Sequence, residues 1–167
     1  MRSPLAQLYA RLHGDSVEEA CAAAREVGAS GRPAVVVSAC LLGVRCRYDG
    51  GDKRDDAAVE RAAAGAQIVP LCPEVLARFG VPRPPIVLDG ERALADGGRD
   101  VSAQLEAGAA LADQLSELSG ATRALLKQRS PSCGTRKVHT PNGLVDGEGR
   151  FARRLRRRGL DVRGEED

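Results

Sequence analysis

The stretch VVVSACLLGVRCRYDGG, Val35–Gly51, places a cysteine where an apolar run stops. The consecutive valines at its start are β-branched, which is typical of a strand buried on both faces of a parallel sheet. Cys40 follows the run at once, and Cys46 comes six residues later, before a turn-like Asp-Gly-Gly. We therefore predict a buried strand over residues 34–39 that ends at a thiol.

The same arrangement recurs twice further along the chain. The run QIVPL, Gln67–Leu71, leads into Cys72, and a third apolar run over residues 121–127 precedes Cys133 by a few residues. Helical patterns separate or follow these runs, at residues 56–66, 101–118 and 149–158. A last short strand is predicted at residues 160–162. Strands that alternate with helices indicate an α/β fold in one compact domain, with a mostly parallel, doubly wound, Rossmann-like sheet.

The first part of the chain has a different pattern. Ser16 and Glu19 have the spacing of a capping box, and apolar residues at helical spacing follow them. We therefore predict an N-terminal helical extension over residues 1–32 and an α/β domain over residues 33–167. The segment Phe79–Pro85 contains three prolines and is predicted to be irregular.

Composition narrows the class of protein. The chain has 167 residues, a net charge of +2, two Phe, two Tyr and no Trp, so its core must consist mainly of aliphatic residues. No window holds the roughly 18 apolar residues of a membrane span, and no signal peptide pattern is present. We therefore predict a cytoplasmic protein without a membrane partner. Cytoplasmic thiols stay reduced, so the five cysteines indicate a metal or catalytic role rather than disulfides.

Three predicted strands deliver Cys40, Cys72 and Cys133 to one edge of the sheet. In open α/β sheets ligands bind beyond the carboxyl ends of the strands. Thiolates prefer zinc, copper(I) or iron–sulfur clusters, and the paired Cys-x-x-Cys spacing of structural zinc is absent. Three widely spaced cysteines suit a [4Fe–4S] cluster in which one iron has no protein ligand. Buried structural cysteines remain an alternative at this point.

The neighbours of these cysteines favour an active site. Glu74 follows Cys72 by two residues, where a carboxylate costs free energy unless it is paired or used. Ser130 and Ser132 flank a proline just before Cys133, and Gly134 follows it, where glycine lets the backbone approach a ligand closely. Each of these residues alone is as well explained by a turn or a helix start. Together, around three cysteines, they predict chemistry.

Four motifs resemble a known bacterial family, the thiouracil desulfidases. They span residues 34–162 and read, in order, SACLLGVRCRYDG, PLCPEVLARFGVPRPP, DGGRDVSAQLEAGAALA and LLKQRSPSCGTRKV. The resemblance implies a [4Fe–4S] cluster held by three cysteine ligands, Cys40, Cys72 and Cys133, with one open iron that binds a thiocarbonyl sulfur. It further implies that water replaces this sulfur, which leaves as hydrosulfide without net electron transfer. Glu74 and Ser130 match the residues implied to be catalytic, through proton handling and positioning.

Some residues depart from the family pattern or stand apart from it. Ile86–Leu88 occupy a place where the family commonly has an acidic residue, and VHTPNGL, residues 138–144, replaces a segment that follows the last cysteine. Cys46 lies in a family motif but is assigned no ligand role, and Cys21 lies outside the matched stretch. These departures leave the predicted cluster site intact but bear on the substrate.

Several alternatives stay open from the sequence. The substrate is predicted to be a small thiolated pyrimidine base or nucleotide, with thiolated tRNA as a possible substrate, and no oligomeric state is predicted. A zinc site using the same cysteines and a non-catalytic sulfur or cluster carrier are the rival functions. The arginine-rich segment 150–159 could contact RNA phosphates, but its apolar stripe is better explained by packing against a core.

Overall fold

The computed structural model describes residues 3–167, and its centre is a four-stranded parallel sheet. In chain order the strands are β1 (Ala34–Ser38), β2 (Gln67–Leu71), β3 (Ile86–Asp89), β4 (Arg92–Ala95), β5 (Arg99–Asp100), β6 (Arg123–Leu126), β7 (Lys137–Thr140), β8 (Gly143–Asp146) and β9 (Asp161–Gly164). The central sheet has the order β2-β1-β6-β9, and all of its pairs are parallel. This confirms the predicted α/β class and the strands that precede the three cysteines.

Helices cover both faces of the sheet, as a doubly wound fold requires. They are α1 (Pro4–Leu12), α2 (Val17–Ala29), α3 (Asp56–Ala63), α4 (Pro73–Leu76), α5 (Ser102–Leu118) and α6 (Arg150–Arg157). Along β1, Val35 and Val37 belong to the apolar cluster that contains Ala58 of α3. Ala34 and Val36 belong to the opposite cluster, with residues of α2, α5 and α6. Strand β1 is therefore buried on both faces, which explains its uninterrupted apolar run.

One face of α5 lies in the core. Ala109, Ala112 and Leu115 are fully buried in the cluster behind the sheet. Leu105, one turn nearer the start of the helix, packs instead with residues of β3 and β4. Helix α5 thus connects the central sheet to the smaller antiparallel sheet.

Two small antiparallel units were not predicted from the sequence. Strands β3, β4 and β5 form one sheet, and β7 with β8 forms a hairpin. Their strands have two to four residues each, too short for a period-of-two pattern to stand out. The preceding segment, Phe79–Pro85, has no regular structure, as its prolines predicted.

The N-terminal helices share the main core. The Ser16 side chain accepts a hydrogen bond from Glu19 N at 3.1 Å, which confirms that it caps α2. Leu12 and Ala24 are fully buried in the same apolar cluster as Val36 of β1. The division at residues 32 and 33 stays a prediction. Across residues 3–167, no helix has the length and apolar character that spanning a membrane requires.

Candidate active site

A cavity of about 520 Å³ opens at the carboxyl ends of β1, β2 and β6. Its wall contains every site residue predicted from the sequence, namely Cys40, Cys72, Cys133, Glu74 and Ser130. Cys46 lines the cavity as well, whereas Cys21 is buried among apolar residues of α2 and the core. The convergence of three strand ends on one site is therefore observed.

The register of the sheet explains why the thiols meet. Ser38, the last residue of β1, is paired with Leu71, the last residue of β2. A short 3-10 helix, Ala39–Leu42, begins directly after β1 and carries Cys40, while Cys72 follows β2. The chain returns to this edge at Lys53, whose backbone N–H donates to the Cys40 carbonyl at 2.9 Å. Both thiols are therefore set by rigid strand ends.

The thiols interact electrostatically with one another. The Cys46 thiol hydrogen-bonds to Cys40 and Cys72, and these bonds, with burial in addition, raise its pKa far above the usual value. The bond from Cys46 lowers the pKa of Cys72 despite burial. Burial raises the pKa of Cys133, although a hydrogen bond with Ser38 opposes this effect. Negative charge at Cys72 is thus stabilised by a neighbouring thiol.

The donor set fits an iron–sulfur cluster. Four cysteine sulfurs share one cavity, and thiolate is the ligand that iron in such clusters takes. Among residues 3–167, no three His, Cys, Asp or Glu side chains form a ligand set for a single metal ion.

Glu74 is held by two partners at the cavity wall. Its Oε1 accepts a hydrogen bond from Arg83 Nε at 3.1 Å, and its Oε2 accepts one from Ser132 Oγ at 3.2 Å. The side chains of Glu74 and Arg83 are only 12% and 4% exposed. Arg83 is itself fixed, because its Nη1 donates to the Gly80 carbonyl at 2.9 Å. A carboxylate oxygen has two lone pairs, so each can still accept a bond from a substrate or water.

Ser130 organises the loop that carries Cys133. Its Oγ accepts hydrogen bonds from Ser132 N at 3.1 Å and from Cys133 N at 3.0 Å. Buried Gln128 closes the same loop, because its Oε1 accepts from Thr135 N at 3.2 Å and its Nε2 donates to Thr135 Oγ1. These hydrogen bonds link both sides of the loop around Cys133.

Two cationic side chains of this loop have acidic partners. Lys127 Nζ lies 2.5 Å from Glu165 Oε1, and both side chains are largely buried. Arg129 pairs with Glu166 at 3.1 Å on the surface. Glu165 and Glu166 thus neutralise the two cationic side chains of this loop.

Sequence reasoning missed three residues next to the site. Arg83 lies in the proline-rich segment that was predicted only to be irregular. A charged residue between prolines, in VPRPP, could have indicated a functional side chain. His13 accepts a hydrogen bond from Cys72 N through Nε2 at 2.9 Å, and burial lowers its pKa to about 4. Tyr9 packs against the cluster of Cys40 and Cys46, and burial with the nearby thiols raises its pKa. Nothing in the sequence connected α1 with the cysteines.

The two departures from the family pattern both lie at this cavity. Ile86 and Val87 of β3 line one side, and His139 and Thr140 of the β7–β8 hairpin line another. They contribute apolar and polar surface to the cavity.

The arginine-rich segment is largely engaged within the protein. Phe151 and Leu155 are fully buried, which explains the apolar stripe of α6. Arg154 pairs with Glu106 of α5 at 2.7 Å, and Arg158 pairs with Asp113 at 2.9 Å. Packing against α5 accounts for most of this helix.

Gly108 is the contact that lets α4 approach α5. A Cβ at this position would lie 2.3 Å from the Pro73 carbonyl oxygen and 2.5 Å from Ala77 Cβ. We expect Gly108→Ala to lower the free energy of unfolding by about 1–3 kcal/mol through overpacking, although alanine favours helices by about 1 kcal/mol over glycine. Chemical denaturation measures this change. The matched control is Ala107→Gly at an exposed neighbouring position. Its free energy of unfolding should fall by only the difference in helix propensity, about 1 kcal/mol. A Gly108→Ala variant as stable as the wild type would contradict the close contact between α4 and α5.

Comparison with known proteins supports the chemistry of this cavity. A family model described as 2-thiouracil desulfurase matches residues 35–167. The chain is 31% identical over 124 residues to the uncharacterized protein YbbK of Bacillus subtilis (strain 168), covering 68% of this chain and 80% of YbbK. Its structure is similar to that of the [4Fe-4S]-dependent thiouracil desulfidase TudS, with a TM-score of 0.74 and 37% identity, covering 80% of this chain and 91% of TudS. All site residues predicted from the sequence lie within the matched range.

Proposed function

The chain belongs to the 2-thiouracil desulfurase family and is a thiouracil-type desulfidase, and we propose that it hydrolyses the C=S group of a thiolated uracil derivative. The balanced reaction replaces sulfur by the oxygen of water: C=S and H₂O give C=O and H₂S, which ionises to hydrosulfide. No electrons are gained or lost. The observation that carries this proposal is the single cavity in which soft thiol donors and a fixed carboxylate stand together.

We assign the cluster to three ligands. Cys40, Cys72 and Cys133 each come from a separate strand end or loop, so they approach the cavity from three directions. Three thiolates leave one iron of a [4Fe–4S] cluster without a protein ligand. When bound, that cluster would supply a soft Lewis acid for a thiocarbonyl sulfur. We assign Cys46 no ligand role; its interaction with the Cys72 thiol lowers the pKa of Cys72.

Glu74 is the proposed general base for the attacking water. Its carboxylate lines the cavity two residues after a proposed ligand, and its orientation is fixed by Arg83 and Ser132. It takes a proton from water as the oxygen attacks the thiocarbonyl carbon, and it can return that proton to the departing sulfur. The Arg83 guanidinium stabilises the carboxylate when it is charged.

Ser130 is the proposed positioning group for the substrate. Its two hydrogen bonds to backbone N–H groups use only the oxygen lone pairs. The hydroxyl proton is therefore available to donate to a uracil oxygen or to the attacking water. The same bonds fix Cys133, so Ser130 couples substrate position to ligand position.

The charge of the cavity supports a substrate that carries phosphate. Lys53 lines the cavity together with Arg47, which also pairs with Asp49 at 3.6 Å, whereas Lys127 and Arg129 are already paired with Glu165 and Glu166. A nucleotide would place its phosphate against such residues, whereas a free base would not use them. A thiolated tRNA would present the same phosphate on a longer chain.

One assay tests the proposal directly. Anaerobically reconstituted protein is incubated with 2-thiouracil, 4-thiouridine monophosphate or a thiolated tRNA, and released sulfide is measured. We expect sulfide with at least one substrate and a lower KM for the nucleotide than for the free base. A brown protein that releases no sulfide from any of these substrates would contradict the proposal and favour a non-catalytic sulfur or cluster carrier. A colourless protein that retains zinc would favour the zinc site instead.

A further inference from the structure

The turn between α1 and α2 contacts the segment that carries Cys72. His13 Nε2 accepts a hydrogen bond from Cys72 N at 2.9 Å. Arg78 Nη2, four residues past Glu74, donates to the Gly14 carbonyl at 2.6 Å. The His13 contact lies directly at a proposed cluster ligand, and the Arg78 contact lies at the end of the same segment.

The Cys72 amide needs such a partner. Strand β2 ends at Leu71, so the N–H of Cys72 lies beyond the parallel ladder. Cys72 is also the N-cap of α4 and has no side-chain cap of its own. A buried N–H without an acceptor is costly. The imidazole of His13 supplies the acceptor from a residue 59 positions away.

The imidazole is itself held in one orientation. Its Nδ1 lies 2.9 Å from the Tyr9 carbonyl oxygen, so Nδ1 carries the proton and Nε2 presents a lone pair to Cys72. The ring stacks on the Tyr9 ring with centroids 4.0 Å apart. His13 is only 9% exposed. The acceptor is therefore fixed by packing and by a hydrogen bond, as a positioning group must be.

We propose that His13, from the helical segment that precedes the family-matched residues 35–167, is a positioning residue that holds the Cys72 backbone in its ligand conformation and slows loss of the cluster. The inference rests on the proposed function in that it takes Cys72 as a ligand. The hydrogen bond from Cys72 to His13 is expected to affect how long the cluster is retained and how often the Cys72 segment opens locally. Substrate contacts play no part in it.

The test compares three variants of the full chain. His13→Leu removes the acceptor, and His13→Gln replaces it with an amide oxygen near the Nε2 position. Gln67→Leu is the matched control: Gln67 Nε2 donates to Ser30 Oγ at 2.6 Å and so also joins the N-terminal segment to β2, but at the end of the strand remote from Cys72. Iron release to a chelator is followed by absorbance under anaerobic conditions. Hydrogen exchange of the peptide containing Cys72 is measured in cluster-free protein.

We expect His13→Leu to release iron about ten-fold faster than the wild type and to exchange the Cys72 amide about ten-fold faster, because a partly buried N–H has lost its partner. Gln67→Leu should change neither rate, and His13→Gln should restore most of both. Equal rates in His13→Leu and the wild type, or equal acceleration in His13→Leu and Gln67→Leu, would overturn the inference. If His13→Leu does not fold, His13→Asn, whose amide lies near Nδ1, replaces it in the comparison with His13→Gln.

The two arms separate this inference from the proposed function. A wild type that binds no cluster contradicts the cofactor assignment, while the exchange arm still tests whether His13 fixes Cys72. A wild type that binds the cluster, with unchanged release and exchange in the His13 variants, contradicts the role of His13 alone.

Discussion

Replacement of any one of Cys40, Cys72 and Cys133 by alanine should remove most of the bound iron. The wild type should bind about four irons and four sulfides per chain. Each of the three variants loses one of only three proposed protein ligands, so the remaining two thiolates cannot hold the cluster against solvent. Iron and sulfide analysis after anaerobic reconstitution, with the visible absorption of the cluster, measures the loss. Sulfide release from substrate should fall to background in the same samples.

Two further cysteines provide controls for this result. Cys21 lies in the core away from the cavity, so the Cys21→Ala variant should keep the full iron content. Cys46→Ala removes the thiol that hydrogen-bonds to Cys40 and Cys72; it should retain the cluster, since it is not a proposed ligand. If Cys46→Ala strips the iron while Cys40→Ala spares it, the ligand assignment is wrong.

Glu74→Gln should keep the cluster and lose most of the activity. The amide is nearly isosteric and can still accept one hydrogen bond, so the cavity wall should hold its shape. It cannot take a proton from water, and a general base contributes about 10²–10⁴-fold to the rate. We expect a loss of this size in kcat for sulfide release, with unchanged iron content.

The matched control for Glu74 is Glu106. Glu106 pairs with Arg154 at 2.7 Å outside the cavity, so Glu106→Gln also breaks a carboxylate–guanidinium pair but touches no site residue. It should leave sulfide release unchanged. Full activity in Glu74→Gln would remove Glu74 from the mechanism, and equal losses in both variants would point to general destabilisation.

The sequence was informative about the parts of the fold that repeat a strong local pattern. Residues 34–37 of β1 are all apolar because both faces of the strand are buried. Helix α5 shows helical spacing because one of its faces packs on the core. Strands β3 and β4 hold too few residues to show a period. Their buried residues pack in one cluster with Leu105 of α5 and Val138 of β7, and a local sequence pattern does not contain such long-range contacts.

The candidate site divides in the same way. Cys40, Cys72 and Cys133 could be predicted because each follows a recognisable strand. The hydrogen bond between Arg83 and Glu74 could not be predicted from the sequence. Arg83 lies in an irregular proline-rich loop, and no periodic pattern indicates the conformation of such a loop. His13 was still less accessible, since only the packing of α1 and α2 on the core brings it to Cys72.

The three thiols lie after three separate strands, and this arrangement bears on whether folding or cluster binding comes first. Cys40 and Cys72 are 32 residues apart, and Cys72 and Cys133 are 61 residues apart. A short peptide cannot gather such ligands, because they meet only after non-local parallel strand pairing, which is a slow step in folding. Under the proposed ligand assignment, the polypeptide folds before it acquires its iron, in contrast to small zinc domains, in which the metal drives folding. We expect a chain that ends before β6 to lack the third proposed ligand and to hold no cluster, even when iron and sulfide are supplied.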